Sequence, residues 1–458
     1  MSGRRSVVGL ACAVQFIDVV GVTLLVVALP DIQRDLDLGP AALSWVAAIY
    51  ALAFGGLLVL GGRAADLLGH RLMFIAGNTV VLAGSLLCAT AGTTAVLLTG
   101  RALQGIGAAV SVPAALAAIL AVIPAGPPRN RALGLWTMAG AVGGASGFVL
   151  GGVVTQAIGW RWLFAAVAVI ALLAAAIAPA ILPPNRRPST RQPLDLSGAL
   201  LITGAAVLLM VGLQRAETDG FTAPSSWLPL VLTPLAALAF AARERRAPAP
   251  LVPPHLWSVP TFRVGAATAF VLTATTSGAS VIGTLFLQDE LNLSPASSGA
   301  AFLLLSASVA ATSTTAPSLI RRRGTAPTLT IGLAVVAAAM LTQAVAVALH
   351  HLPLFLTGLA LTGAGLGLAS VASTTHGTTG ADDSTSGVIG GLLNAAAQVG
   401  TAVGIATLLT TATTWPIPTQ APEAAFSLAA LTALTAALTT LLTTRHRTPT
   451  THTPTRTP

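Results

Sequence analysis

The chain has 458 residues, of which 54% are hydrophobic and only 8% charged, against roughly 25% charged in soluble domains. That excludes an ordinary water-soluble protein and implies an all-α chain that crosses a lipid bilayer many times. The net charge of +9 comes from arginine with no lysine, and these arginines sit in short loops between apolar spans, where orientation in a membrane explains them without a nucleic-acid partner.

A helix needs about 20 apolar residues to cross roughly 30 Å of hydrocarbon. The first run begins after Arg4 and Arg5 and stays apolar to Pro30, too long for the roughly 7 to 15 residues of a signal-peptide core, so it is read as a retained helix. Fourteen apolar stretches follow the same rule. Six of them, near 8–30, 41–60, 72–91, 95–123, 132–155 and 162–182, make an N-terminal six-helix bundle over residues 1–182. A polar, Pro-rich linker over 183–262 carries two inserted helices near 196–213 and 227–242. Six more, near 264–287, 296–319, 328–349, 352–371, 387–410 and 424–442, make a C-terminal bundle over 263–443. Residues 444–458 are low-complexity and expected to be disordered.

With the N-terminus inside, only Arg34, Arg161 and Arg215 face outward and Arg101 lies within a helix, the remaining arginines falling on the cytoplasmic side. Both termini are therefore expected in the cytoplasm. Trp160 and Trp162 fall where an outer aromatic belt belongs. Cys12 and Cys88 are expected near opposite faces, too far apart to pair. No His, Cys or carboxylate cluster has the spacing of a metal site or of a nucleophile with its base, so an enzyme reading has no constellation behind it.

One carboxylate, Asp18, interrupts the first apolar run, with Gln15 a turn below it. An ionisable side chain in the middle of such a helix is costly in lipid and is a functional-site hypothesis by default. The segment QRDLDLGPA at 33–41 recurs as QDELNLSPA at 288–296, and the same offset of 255 carries Gly69 onto Gly324. Such an internal repeat is the usual mark of a secondary transporter built from two like-oriented halves. At this offset Asp18 falls on Thr273, so the halves share a scaffold and not the acid.

Four further motifs stand out. After the second helix, GGRAADLLGHR places Gly62, Asp66, Gly69 and Arg71 in a tight loop; the glycines permit the turn, and the Asp and Arg can latch the inner face. The fourth helix carries Arg101, Gln104 and Gly105 in RALQG, with Arg and Gln on one face. The fifth carries Gly147, Leu150, Gly151 and Gly152, a seam for close helix approach, with Phe148 beside it. The thirteenth carries Asn394 and Gln398 on one face above Gly400 and Gly404.

Together these motifs and the helix count resemble the fourteen-helix drug:proton antiporter branch of the major facilitator superfamily over nearly the whole chain. The loop is similar to the superfamily's G-x-L-a-D-r-x-G-r-r, helix 4 to R-x-x-Q-G, helix 5 to G-P-x-L-G-G with Phe148 in place of proline, and helix 13 to the N-x-x-x-Q-x-G pattern. Helix 1 ends like the family's D-x-T-I-V-N-V-A-L-P, but Gly21 stands where the family has its Asp.

The resemblance implies export of a hydrophobic or amphiphilic compound in exchange for protons. It implies proton coupling at Arg101, with Asp18 as a relocated carboxylate, and Gln15, Gln104, Asn394 and Gln398 as cavity candidates. No cofactor is expected beyond the proton gradient, and a monomer in the cell membrane is the expected working unit. Three alternatives stay open on the residues alone. Asp18 is otherwise a structural acid paired to Arg101 or bonded to Gln15, Arg101 otherwise reaches the outer headgroups, and Asn394 and Gln398 otherwise bond between helices. Proton-coupled nutrient import and a membrane sensor that transports nothing are the rival functions.

Overall fold

The computed structural model describes residues 2–124, 127–184, 195–220, 222–247, 250, 254–379, 383–414 and 421–445. The tail from residue 446 on and the Pro-rich linker segment at 185–194 lie outside them, while Thr444 and Arg445, expected to be disordered, end a helix.

The described residues form helices α1 (Ser2–Leu36), α2 (Pro40–Leu68), α3 (His70–Ala89), α4 (Thr94–Val122), α5 (Pro127–Ile158) and α6 (Arg161–Ile181). An inserted hairpin follows, α7 (Leu196–Asp219) and α8 (Pro224–Glu244). The second set is α9 (Pro260–Leu285), α10 (Pro295–Arg323), α11 (Thr325–Ala348), α12 (Leu352–Gly377), α13 (Asp383–Thr414) and α14 (Ala421–Arg445). Among the described residues 13 helices are long and apolar enough to cross a membrane, and α7 adds a shorter apolar stretch at Leu200–Leu209. Helix α1 continues past Pro30, where the apolar run stops, to Leu36, because backbone hydrogen bonding extends the helix beyond the hydrocarbon into its polar loop.

The repeat is written into the backbone. α2 and α10 are each 29 residues long, both start with proline at the first turn, and both end on a glycine with positive φ, Gly69 at 99° and Gly324 at 90°. Asp37 and Asn292, at the same offset, both take φ near the left-handed region, 48° and 54°; Asp and Asn are among the few non-glycine residues that tolerate it. Packing repeats likewise: α1 on α5, α2 on α4 and α3 on α4 in the first set correspond to α9 on α13, α10 on α12 and α11 on α12 in the second. The two sets meet along α2 against α13 and along α5 against α10.

Glycine sets the closeness of the α5 seam. A Cβ at Gly151 would meet the Leu24 carbonyl oxygen of α1 at 2.7 Å, and one at Gly152 would strike the Pro295 carbonyl oxygen of α10. Gly151 therefore packs within the first bundle while Gly152 holds the two bundles together. Gly152→Val is expected to pry α5 from α10 and to lower stability by about 1–3 kcal/mol, the cost of a single over-packed contact. The thermal unfolding midpoint of the purified protein checks this, and a wild-type midpoint would refute it.

At the end of the bundle bearing the α1–α2 loop, Asp35 accepts hydrogen bonds from Trp160 Nε1 (3.1 Å) and Arg161 Nη1 (2.5 Å), and Arg161 Nη2 donates to the Ala91 carbonyl (2.8 Å). This ties α1, α6 and the α3–α4 turn together. Trp160 is thereby buried, while Trp162 is exposed as a belt residue should be. Of the expected aromatic pair, then, Trp160 is an internal clamp, because its indole N–H has a carboxylate to satisfy. The hairpin is clamped at the opposite end: Asp195 caps α7 at Gly198 N (3.0 Å) and pairs with Arg243 of α8 at 3.2 Å. α7 packs on both α2 and α13, and the outer face of α8 presents Trp227, Val231, Leu235 and Leu238 to the surroundings.

Candidate functional site

Two cavities adjoin the polar residues of the first bundle. One, of about 300 Å³, sits between the bundles. Thr23, Tyr50, Arg101 and Phe148 line it from α1, α2, α4 and α5, and Thr276, Ser277, Ser280, Ser306 and Thr401 from α9, α10 and α13. Apolar Val, Leu, Ile and Ala side chains fill the remaining wall. Toward the α1–α2 loop end the bundles close over it. Phe148 stacks on Phe302 of α10 with centroids 4.8 Å apart, Gln288 Nε2 donates to the Val27 carbonyl (2.9 Å), and Ala296 N donates to Gln156 Oε1 (3.4 Å).

The smaller cavity, about 30 Å³, lies inside the first bundle and is lined by Asp18, Tyr50, Asn78, Arg101, Gln104 and Ser111 among others. That is room for about one water molecule. Asp18 accepts a hydrogen bond from the Tyr50 hydroxyl. Over the Tyr50 ring lies the Arg101 guanidinium, 4.7 Å from the centroid, a cation–π contact. Arg101 Nη1 donates to Gln104 Oε1 (2.9 Å), and Gln104 Nε2 donates to Ser85 Oγ (2.8 Å). Arg101 is only 1% exposed, and its Nε meets no hydrogen-bond partner among the described residues. It therefore points inward and does not reach the headgroups.

Asp18 and Arg101 are thus brought together without a direct ion pair among the described residues; Tyr50 stands between the acid and the guanidinium. Tyr50 and Arg101 also line both cavities, so they form the wall between the carboxylate and the large apolar chamber. Tyr50 is the only tyrosine in the chain, and the motif patterns did not single it out. Its rarity was the one available signal.

The other candidates divide. Gln104 joins the polar network. Gln15 packs against Gly140 of α5, Asn394 is exposed, and Gln398 faces Gly55 of α2, where a Cβ would lie 2.5 Å from its own; none of the three lines either cavity. On α13 it is Thr401 and Ile405, on an adjoining face, that reach the chamber. In the loop motif Gly69 makes the positive-φ turn, whereas a Cβ at Gly62 would make only an ordinary contact, 3.7 Å from Pro113. The tight contact belongs to Gly61 beside it, whose Cβ would strike the Ala109 carbonyl. Arg71 is half-buried at the start of α3, and the Asp66 side chain lies outside the described residues.

The polar pair beside the chamber has an altered counterpart in the second bundle. Gln343 Nε2 donates to Thr362 Oγ1 (2.8 Å) between α11 and α12, as Gln104 does to Ser85 between α4 and α3, with donor and acceptor exchanged between the helices. Where the first bundle has Asp18 and Tyr50, the offset of 255 gives Thr273 and Leu305. Thr273 turns away to donate to the Ala397 carbonyl (2.5 Å).

The family model of the Major Facilitator Superfamily matches residues 11–405. The chain belongs to that superfamily. It is therefore a transporter and not an enzyme, and a multi-pass membrane protein. Puromycin resistance protein pur8 of Streptomyces alboniger is 35% identical over 400 residues, 85% of this chain and 78% of pur8. Cephamycin export protein CmcT of Amycolatopsis lactamdurans is 39% identical over 298 residues, 64% of this chain and 61% of CmcT. Among solved structures, peptide transporter POT in complex with sulfate superposes with a TM-score of 0.70 at 16% identity, covering 96% of this chain and 94% of POT; at that identity the likeness concerns the fold alone. This superfamily member pairs a large apolar chamber with a carboxylate, Asp18, set in a small cavity of its first bundle.

Proposed function

We propose that this superfamily member is a proton-driven exporter in the cell membrane, carrying a hydrophobic or amphiphilic antibiotic-like compound outward by alternating access. The observation that carries the reading is Asp18, hydrogen-bonded by Tyr50 and set behind a wall that Tyr50 and Arg101 share with the 300 Å³ chamber. The resistance and export proteins among its relatives support the direction. In this cycle Asp18 takes a proton when its cavity opens outward and releases it inward, while the chamber alternately loads and empties. Exchanging one neutral molecule for one proton moves one charge, worth about 2.3 kcal/mol per 100 mV, or a gradient of about fifty-fold.

Purified protein in vesicles with an internal pH dye and a panel of lipophilic antibiotics tests this. The expected result is compound movement against proton movement, driven by an imposed pH gradient. Proton and compound moving in the same direction, or compound flux indifferent to the gradient, would overturn it.

A further inference from the structure

We infer that the chamber selects uncharged aromatic compounds bearing hydrogen-bond donors, because the hydroxyl oxygens that line it have mostly committed their own protons. This rests on the exporter reading. The Thr276 hydroxyl donates to the Leu272 carbonyl (2.8 Å), Ser280 to the Thr276 carbonyl (2.8 Å), and Thr23, on the facing wall, to the Val19 carbonyl (3.1 Å). Ser277 and Thr401 share one hydrogen bond at 3.3 Å between α9 and α13, which uses one proton of the two. A hydroxyl has one proton and two lone pairs. The wall therefore keeps nearly all its acceptors, with free protons only on Ser306 and on one of the Ser277–Thr401 pair.

The other polar groups at the wall are occupied. Tyr50 spends its hydroxyl proton on Asp18, and Arg101, 1% exposed, bonds Gln104 through Nη1 and stacks on the Tyr50 ring, its unbonded Nε being buried out of reach of the chamber. Among the described residues no carboxylate lines the chamber, so no anionic side chain there pairs with a cation, and the Arg101 guanidinium at the wall repels one. Phe148 and the Tyr50 ring offer aromatic surface. A buried ligand O–H or N–H thus finds an oxygen at most points of the wall, whereas a ligand group that only accepts finds a proton only at Ser306 and at the Ser277–Thr401 pair, and a site built this way favours the donor.

The test is equilibrium binding to the full chain in lipid nanodiscs without any gradient, with two matched neutral pairs: umbelliferone and its methyl ether, and ethinylestradiol and its methyl ether, both at a pH where the phenols are protonated. Each phenol is expected to bind at least about tenfold more tightly than its ether. Ser277→Ala combined with Thr401→Val, which removes two acceptor oxygens, is expected to weaken phenol binding more than ether binding and to shrink that preference below about threefold, with the thermal unfolding midpoint in place. Equal affinity within both pairs, tighter binding of the ethers, no binding of either phenol, or stronger binding of tetraphenylphosphonium would each overturn the inference. Because no gradient is used, failure of proton-driven transport with the phenol preference intact would sink the exporter reading alone.

Discussion

Asp18→Asn is expected to leave the protein folded and membrane-inserted, to preserve downhill movement of substrate, and to abolish its accumulation against a gradient. The replacement is nearly isosteric, and the amide oxygen still accepts from the Tyr50 hydroxyl that now bonds the carboxylate, so the packing of α1 against α2 is kept. What is lost is the ability to hold and release a proton, and with it the roughly fifty-fold gradient that one charge moving through 100 mV sustains. The steady-state ratio of compound across the vesicle wall should fall to about one. Measured in the wild type and the variant under the same imposed pH gradient, an undiminished ratio in the variant would remove Asp18 from the mechanism.

Why Asp18 and Arg101 were legible in the sequence while Tyr50 was not follows from what lipid penalises. A charge within an apolar run stands out because hydrocarbon makes it expensive; a tyrosine does not, since its ring suits a buried surface and its hydroxyl needs only one partner. The repeat was legible for a different reason. Positive φ at Asp37, Asn292, Gly69 and Gly324 restricts the residues allowed, so the turns keep their chemistry in both halves.

Asn394 and Gln398 show where face arithmetic stops. Spacing by four puts both on one side of α13, but packing decides which side meets the chamber, and Gly400 and Gly404 press so closely on Phe270 and Ala274 of α9 that Thr401 and Ile405 are turned inward instead. Phe148, read from the sequence only as a missing proline, gains its meaning from Phe302, 154 residues away, which it meets across the seam. No local pattern announces that contact.

Tyr50→Phe is expected to separate coupling from passage. The variant keeps the ring, hence the cation–π contact with Arg101 and the packing against Phe54, and loses only the hydroxyl that bonds Asp18. A hydrogen bond to a charged group contributes about 1.5–3 kcal/mol, so a tenfold to roughly hundredfold loss of concentrative export is expected, with exchange at equal concentrations on both sides preserved. Tyr50→Leu, which also strips the ring from Arg101, is expected to impair both, and the contrast assigns coupling to the hydroxyl and integrity of the wall to the ring. Wild-type accumulation and an unchanged pH profile in Tyr50→Phe would show that the hydroxyl is a packing detail. The second bundle offers no substitute, because the position equivalent to Tyr50 is Leu305, which lines the chamber with an aliphatic side chain and faces no carboxylate at the position of Asp18. Leu305→Tyr added to Tyr50→Phe therefore should not restore export, since a hydroxyl on that side has Thr273 where the acid would have to be.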